Sequence, residues 1–149
     1  MMGYNHVSCG LLAGIATLPI APGTGPPAQA AWVIALGGAS LIPDLDTSGS
    51  TAARMWGPIT CTLGALVGTL AQGHRQGTHD AVLAPLAFAG VALLASLHPL
   101  TTAVVLALTI GLALRGLALA GVGRIGAAAN LLVSALAAWA LVASGAHQI

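Results

Sequence analysis

The sequence predicts an all-α integral membrane protein: a polytopic bundle of about five spanning helices, plus a short interfacial or re-entrant helix near 57–72. Three observations predict it. Of the 149 residues, 57% are hydrophobic and 5% charged, with a mean hydropathy of +0.94; a soluble domain carries roughly a quarter of its residues charged to cover itself in water. The apolar residues fall into runs divided by Gly, Pro and polar punctuation. Backbone groups in hydrocarbon must hydrogen-bond internally, which makes those runs helices. The length gives one membrane domain over 1–149, divided into a motif-bearing half at 1–85 and C-terminal transmembrane helices over 86–149.

The first apolar segment, 7–20, is closed by the turn-rich stretch Ala21-Pro22-Gly23-Thr24-Gly25-Pro26-Pro27. It follows His6 without a basic n-region and reads as a retained membrane segment, not a cleaved signal. The second segment, 28–42, stops at Pro43, and a polar stretch over 44–54 follows. The third, 57–72, is the shortest for a crossing: at about 1.5 Å per residue it reaches roughly 24 Å, against a hydrocarbon core near 30 Å. A second polar stretch, 73–80, precedes the segments 81–97, 100–114 and 126–144. Gly10 with Gly14, and Gly64 with Gly68, have the small-xxx-small spacing that permits close helix contact.

The arginines orient the chain. If 57–72 stays on one side and the other five segments cross, Arg54, Arg75, Arg115 and Arg124 share one face, which positive-inside bias makes cytoplasmic. If it crosses, Arg54 is separated from the rest. The four arginines, the absence of lysine and a net charge of +1 exclude a nucleic-acid surface, since counterion-driven binding needs a basic patch. Cys9 and Cys61 each sit in an apolar run and read as small hydrophobes, not as a disulfide.

Ionisable residues are few enough to be informative. The carboxylates are Asp44, Asp46 and Asp80, and the histidines His6, His74, His79, His98 and His147. In Pro43-Asp44-Leu45-Asp46 alternate residues can aim two carboxylates at one point, and the third follows His79 in His74-Arg75-Gln76-Gly77-Thr78-His79-Asp80. Such groups at a membrane boundary are costly and default to a functional reading. Carboxylate oxygens with imidazole nitrogens suit a divalent Zn, Mn or Fe ion. The non-crossing arrangement brings His6, Asp44, Asp46, His74 and His79 to the same cytoplasmic face, so arginine bias and metal-site convergence ask for the same feature. Asp44 or Asp46 alone could instead cap a helix or form an Asx-turn, and Asp80 could cap the next helix or orient His79. His98 falls on the far side, and His147 lies in the tail.

These residues resemble a known family, the bacterial and phage membrane-bound metal-dependent hydrolases, some of which are described as LexA-regulated inner-membrane proteins. Met1-Met2-Gly3-Tyr4-Asn5-His6 is similar to its opening, with a His just before the first helix. Leu41-Ile42-Pro43-Asp44-Leu45-Asp46, followed by Ser48 and Ser50, resembles its Leu-Pro-Asp-x-Asp segment, and Gly73-His74-Arg75-Gln76-Gly77-Thr78-His79 its His-Arg-x-x-Thr-His segment. The likeness covers roughly the first 85 residues and implies an interfacial helix between the two motifs. There are two departures: the family carries Ser or Thr where this chain has Asp80, and many members have an Asp four residues after a later His, where this chain has Thr102 after His98.

The resulting expectation is an inner-membrane hydrolase in which a metal-activated water attacks a phosphoester or other ester, lipid-like substrates included, with membrane lipid as its surroundings. Asp80 or an unliganded carboxylate is the expected general base, and Arg75 the residue that binds an anionic substrate or stabilises developing charge. Two alternatives stand beside it: a catalytically degenerate metal-binding sensor or adaptor, and a holin-like structural membrane protein.

Overall fold

A computed structural model describes residues 3–21, 25–47, 49–70, 82–119, 121, 123 and 125–145. Six α-helices form among the described residues: α1 Gly3–Ala16, α2 Pro26–Ala39, α3 Pro58–Leu70, α4 Leu83–Ser96, α5 Pro99–Leu119 and α6 Ala127–Ala143. Two 3-10 turns, Leu18–Ile20 and Ile42–Asp46, follow α1 and α2. No strand occurs among the described residues.

Helix ends follow the punctuation. Gly25 precedes α2 with extended backbone and Pro stands in the first turn, where its missing N–H leaves no bond unmade. Gly126 plays the same capping role for α6. At α5, Pro99 is the first residue and the His98 ring accepts a hydrogen bond from Leu100 N–H through Nδ1 (3.1 Å), satisfying one orphan donor of the first turn.

The bundle is organised around α5, which packs against α1, α2, α4 and α6. Gly14 of α1 lies on Val33, and Gly10 on Leu36 and Ser40, so α1 and α2 are antiparallel. Gly38 of α2 lies on the Thr109 backbone, while Gly116 of α5 meets Val7 and Leu41, so α2 and α5 run side by side in the same direction. The spacing of small residues that signals close approach thus operates between α1 and α2, and again between α2 and α5. Val7, Leu41, Leu45, Ala52, Met55 and Leu112 form one buried cluster at the end of the bundle where α1 begins and α2 stops.

Two polar clamps fix the segments against one another. Asn130, fully buried on α6, donates through Nδ2 to the Gly111 carbonyl (3.1 Å) and accepts the Trp56 indole N–H at Oδ1 (3.0 Å). At the opposite end of α1 the Trp32 indole N–H donates to the Thr17 hydroxyl (2.9 Å). Both polar pairs are satisfied, as the interior of a membrane bundle requires.

The six segments appear at nearly the expected positions, but the number of spans is corrected. Among the described residues two stretches have the length and apolarity to cross a membrane, Pro26–Asp46 and Pro99–Ala118, where five were expected. The cause is helix length. Helices α1, α2 and α4 have 14 residues each, about 21 Å at 1.5 Å per residue, whereas the 21 residues of α5 reach about 31 Å. The 3-10 turn Ile42–Asp46 carries the α2 stretch on to the 21 residues of Pro26–Asp46. Helix α3 has 13 residues and packs chiefly on the turn Ile42–Asp46, with Gly64 against the Leu45 carbonyl and Gly68 against that of Asp46. Its length is that of the expected short helix near 57–72.

Outward faces carry large apolar side chains, among them Leu86, Leu93 and Leu94 on α4, Leu132 and Leu136 on α6, and Leu12 and Ile15 on α1. In water so many would form an aggregating surface; in lipid they are solvated.

Candidate metal site

The site lies at the end of the bundle capped by the turn Ile42–Asp46. Pro43 enters that turn at its start, where a backbone donor is dispensable, and the chain tightens from α-helix into 3-10 geometry instead of becoming extended. With about three residues per turn, side chains two apart leave the axis about 120° apart. Asp44 and Asp46 therefore do not share the single direction expected of alternate residues in an extended segment, and Leu45 between them is buried in the core.

Asp44 meets His6. His6 Nδ1 and Asp44 Oδ2 are 3.2 Å apart, and the two side chains are 19% and 18% exposed. The approach is short but not aligned for a hydrogen bond, and Nδ1 is buried with no other partner among the described residues. An imidazole nitrogen and a carboxylate oxygen thus converge without a proton in line between them. Ligand atoms about 2.0–2.2 Å from a tetrahedral cation stand roughly 3.3–3.5 Å from each other, and somewhat closer around an octahedral one. The His6–Asp44 separation falls between those two geometries, so this pair fits as two donors to one divalent ion.

Neighbouring groups hold both donors. His6 lies in the first turn of α1, not ahead of the helix as expected, because α1 begins at Gly3. The Ser40 hydroxyl donates to the His6 carbonyl (2.7 Å), with the Gly37 carbonyl equally near, and so ties the start of α1 to the end of α2. The Ser50 hydroxyl donates to the Asp44 carbonyl (2.6 Å) and accepts Ala53 N–H (2.9 Å), folding the following loop back over the turn. Asp46 accepts a hydrogen bond from the Thr47 hydroxyl (3.1 Å).

Of the five expected ligands, His6 and Asp44 are brought together, and Asp46 lies on the same turn facing a different side. His74 and His79, with the expected catalytic residues Arg75 and Asp80, lie outside the described residues, as do Arg124 and His147. Among the described residues no three His, Cys, Asp or Glu side chains gather closely enough to hold a metal. His98 caps α5 nearly five turns from Arg115, which lines the Asp44 pocket, so it stands far from this end as expected. Cys9 and Cys61 are free thiols. Arg54 and Arg115 share the Asp44 end of the bundle, in keeping with the expected clustering of arginines.

The structure adds a feature that the sequence reading missed. A pocket of about 310 Å³ opens beside Asp44, lined also by Thr47, Ser50, Thr51 and, from α5, Arg115. In the sequence Arg115 marked a loop after a segment ending at 114; α5 in fact continues to Leu119 and carries Arg115 inward. A lone arginine within an apolar helix was the available signal.

Among known proteins, residues 1–119 match the model of the family described as YdjM inner membrane protein. No curated protein and no solved structure matches the chain. The family match and the two stretches of spanning length bear out the inner-membrane part of the expected resemblance, and make this an inner-membrane protein.

Proposed function

The chain belongs to the YdjM inner membrane protein family, and on that premise we propose that it is a metal-dependent hydrolase of phosphoesters or other esters, lipid-like ones included. The observation that carries this reading is the buried, unbonded His6 Nδ1 converging on the Asp44 carboxylate. Neither cap nor core packing explains an imidazole whose nitrogen is left unmatched beside a carboxylate, on a residue whose backbone carbonyl Ser40 holds in place.

In this reading His6 and Asp44 supply two donors, and His74 and His79 complete the set around a Zn, Mn or Fe ion; Asp46, on another side of the turn, is not among them. Such an ion, when bound, supplies Lewis-acid chemistry that acidifies water and polarises a phosphoryl or carbonyl oxygen. Asp80 takes the proton released as the nucleophile forms, and Arg75 holds the anionic part of the substrate. The shared location of Arg54 and Arg115 supports a cytoplasmic site by the positive-inside rule. Elemental analysis of the purified protein in detergent tests the reading: wild type carries a stoichiometric divalent metal, and Asp44→Ala and His79→Ala lose it. Equal metal content in all three would sink it. A phosphoester panel with added Mn²⁺ or Zn²⁺ then tests turnover.

One observation favours a second reading, metal binding without catalysis in a sensor or adaptor. At the departure from the family pattern, the Thr102 hydroxyl donates to the Ala95 carbonyl (2.6 Å) and His98 caps its own helix, so both serve α5 and its junction with α4. Metal retention with no turnover of any ester in the panel would select this reading.

A further inference from the structure

Arg115 is the one cation described in the wall of the Asp44 pocket, and its surroundings leave it undercommitted. Its Nη1 donates to the Ile125 carbonyl (3.2 Å), which anchors one edge of the guanidinium. Its Nε is buried and has no hydrogen-bond partner among the described residues. No carboxylate among them pairs with it; Asp44, in the same wall, faces His6. A guanidinium carries five donors and cannot shed its charge, so an unmatched buried edge in a membrane protein is a standing cost unless a ligand meets it. Two further features suit an anion. Thr51 lines the pocket with a hydroxyl that makes no hydrogen bond among the described residues, and Gly49, with open space around it, leaves part of the wall without side-chain bulk.

From this we infer that the pocket contributes to the substrate-anion site, with Arg115, in addition to Arg75, reading a phosphoryl group and Thr51 adding a hydroxyl donor. This rests on the hydrolase reading above and names its substrate class: a phosphate monoester or diester, whose tetrahedral oxygens match the arginine fork. The pocket of about 310 Å³ takes a headgroup-sized moiety and not acyl chains. Arg115 would hold the phosphoryl group beside the His6–Asp44 donors, so it is a binding residue for the reaction and no ligand of the metal.

The experiment uses the full chain, metal-loaded, in nanodiscs of zwitterionic phosphatidylcholine. Binding of sn-glycerol 3-phosphate is measured by calorimetry for wild type, Arg115→Gln, Arg115→Lys and Thr51→Val, with metal content and thermal melting recorded on the same samples. Arg115→Gln should weaken binding at least tenfold, Arg115→Lys less, and Thr51→Val about threefold, with metal content unchanged. If Arg115→Gln fails to fold, Arg115→Lys and the rescue of Arg115→Ala by added guanidinium carry the test. Wild-type affinity in Arg115→Gln, or in the lysine variant without guanidinium rescue of Arg115→Ala, overturns the inference. Repeating the titration in nanodiscs containing phosphatidate separates the sources: loss of glycerol phosphate binding marks a lipid headgroup as occupant, and unchanged binding a soluble ester. Wild type that holds no metal but binds phosphate through Arg115 would refute the metal reading alone. Bound metal with arginine-independent phosphate binding would refute this inference alone.

Discussion

Replacing Asp44 by Asn keeps its volume and removes the charge that faces His6 Nδ1 across 3.2 Å. Loss of an outer partner of a metal ligand costs 10- to 100-fold in affinity, so loss of a direct donor should cost about 100-fold or more. Asp44→Asn and His6→Gln are each expected to show that drop in a competition assay with a fluorescent chelator, while the helical circular dichroism is retained. Ser40→Ala acts one step back. It removes the hydroxyl that grips the His6 carbonyl, and should cost about 1 kcal/mol of stability; metal affinity should fall about tenfold because His6 loses its anchor. Asn130→Leu tests a different kind of residue. It strands the Trp56 N–H in an apolar interior and removes the second bond to the Gly111 carbonyl, for an expected loss of about 1–2 kcal/mol by thermal melting in detergent. Metal content of that variant should be unchanged, since Asn130 touches neither His6 nor Asp44.

At the scale of elements, glycine decides which helices can be neighbours. A methyl group at Gly38 would overlap the Thr109 backbone, so Gly38→Ala should destabilise by about 1–3 kcal/mol through forced separation of α2 and α5. Gly90 on α4 has open space around it; Gly90→Ala should stabilise by about 0.5–1 kcal/mol by restricting the unfolded chain and favouring helix. Opposite signs for the same chemical change would show that packing, and not propensity, governs the first. Element positions were legible because proline, glycine and the two polar stretches punctuate an otherwise apolar chain. What the pattern does not reveal is how a segment ends. The residues at 18–20 are apolar enough to extend a run, yet they adopt a 3-10 turn, which shortens α1; the residues at 42–46 form a second one instead of an extended segment, which turns Asp46 away from Asp44. The continuation of α5 to Leu119 was hidden for the converse reason: Arg115 interrupts the apolar run without interrupting the helix.

For the whole molecule, a metal bound as proposed would link His6 to Asp44 and so tie the start of α1 to the turn after α2, and should therefore stabilise the fold. A ligand held at 100 times its dissociation constant adds about 2.7 kcal/mol. Stripping wild type with a chelator should lower its melting temperature, restoration of Zn²⁺ or Mn²⁺ should recover it, and Asp44→Asn should respond to neither treatment. Convergence of His6 on Asp44 was legible from topology alone, because antiparallel α1 and α2 must return His6 to the level of Asp44. The pocket was not, since its walls come from α1, the loop after Asp46 and α5, segments whose proximity depends on glycine contacts between distant helices.

The contact of Gly38 with Thr109 has a consequence for how a ligand enters. Two helix backbones that touch without intervening side chains leave no slack for α5 to rock against α2, and Gly116 is likewise pressed to Val7. Arg115 therefore rides on a strut that is braced along its length. A phosphoryl group bound as inferred above would meet an arginine already fixed in place, with little ordering entropy lost on that wall, and selectivity among phosphorylated compounds should then follow size and shape.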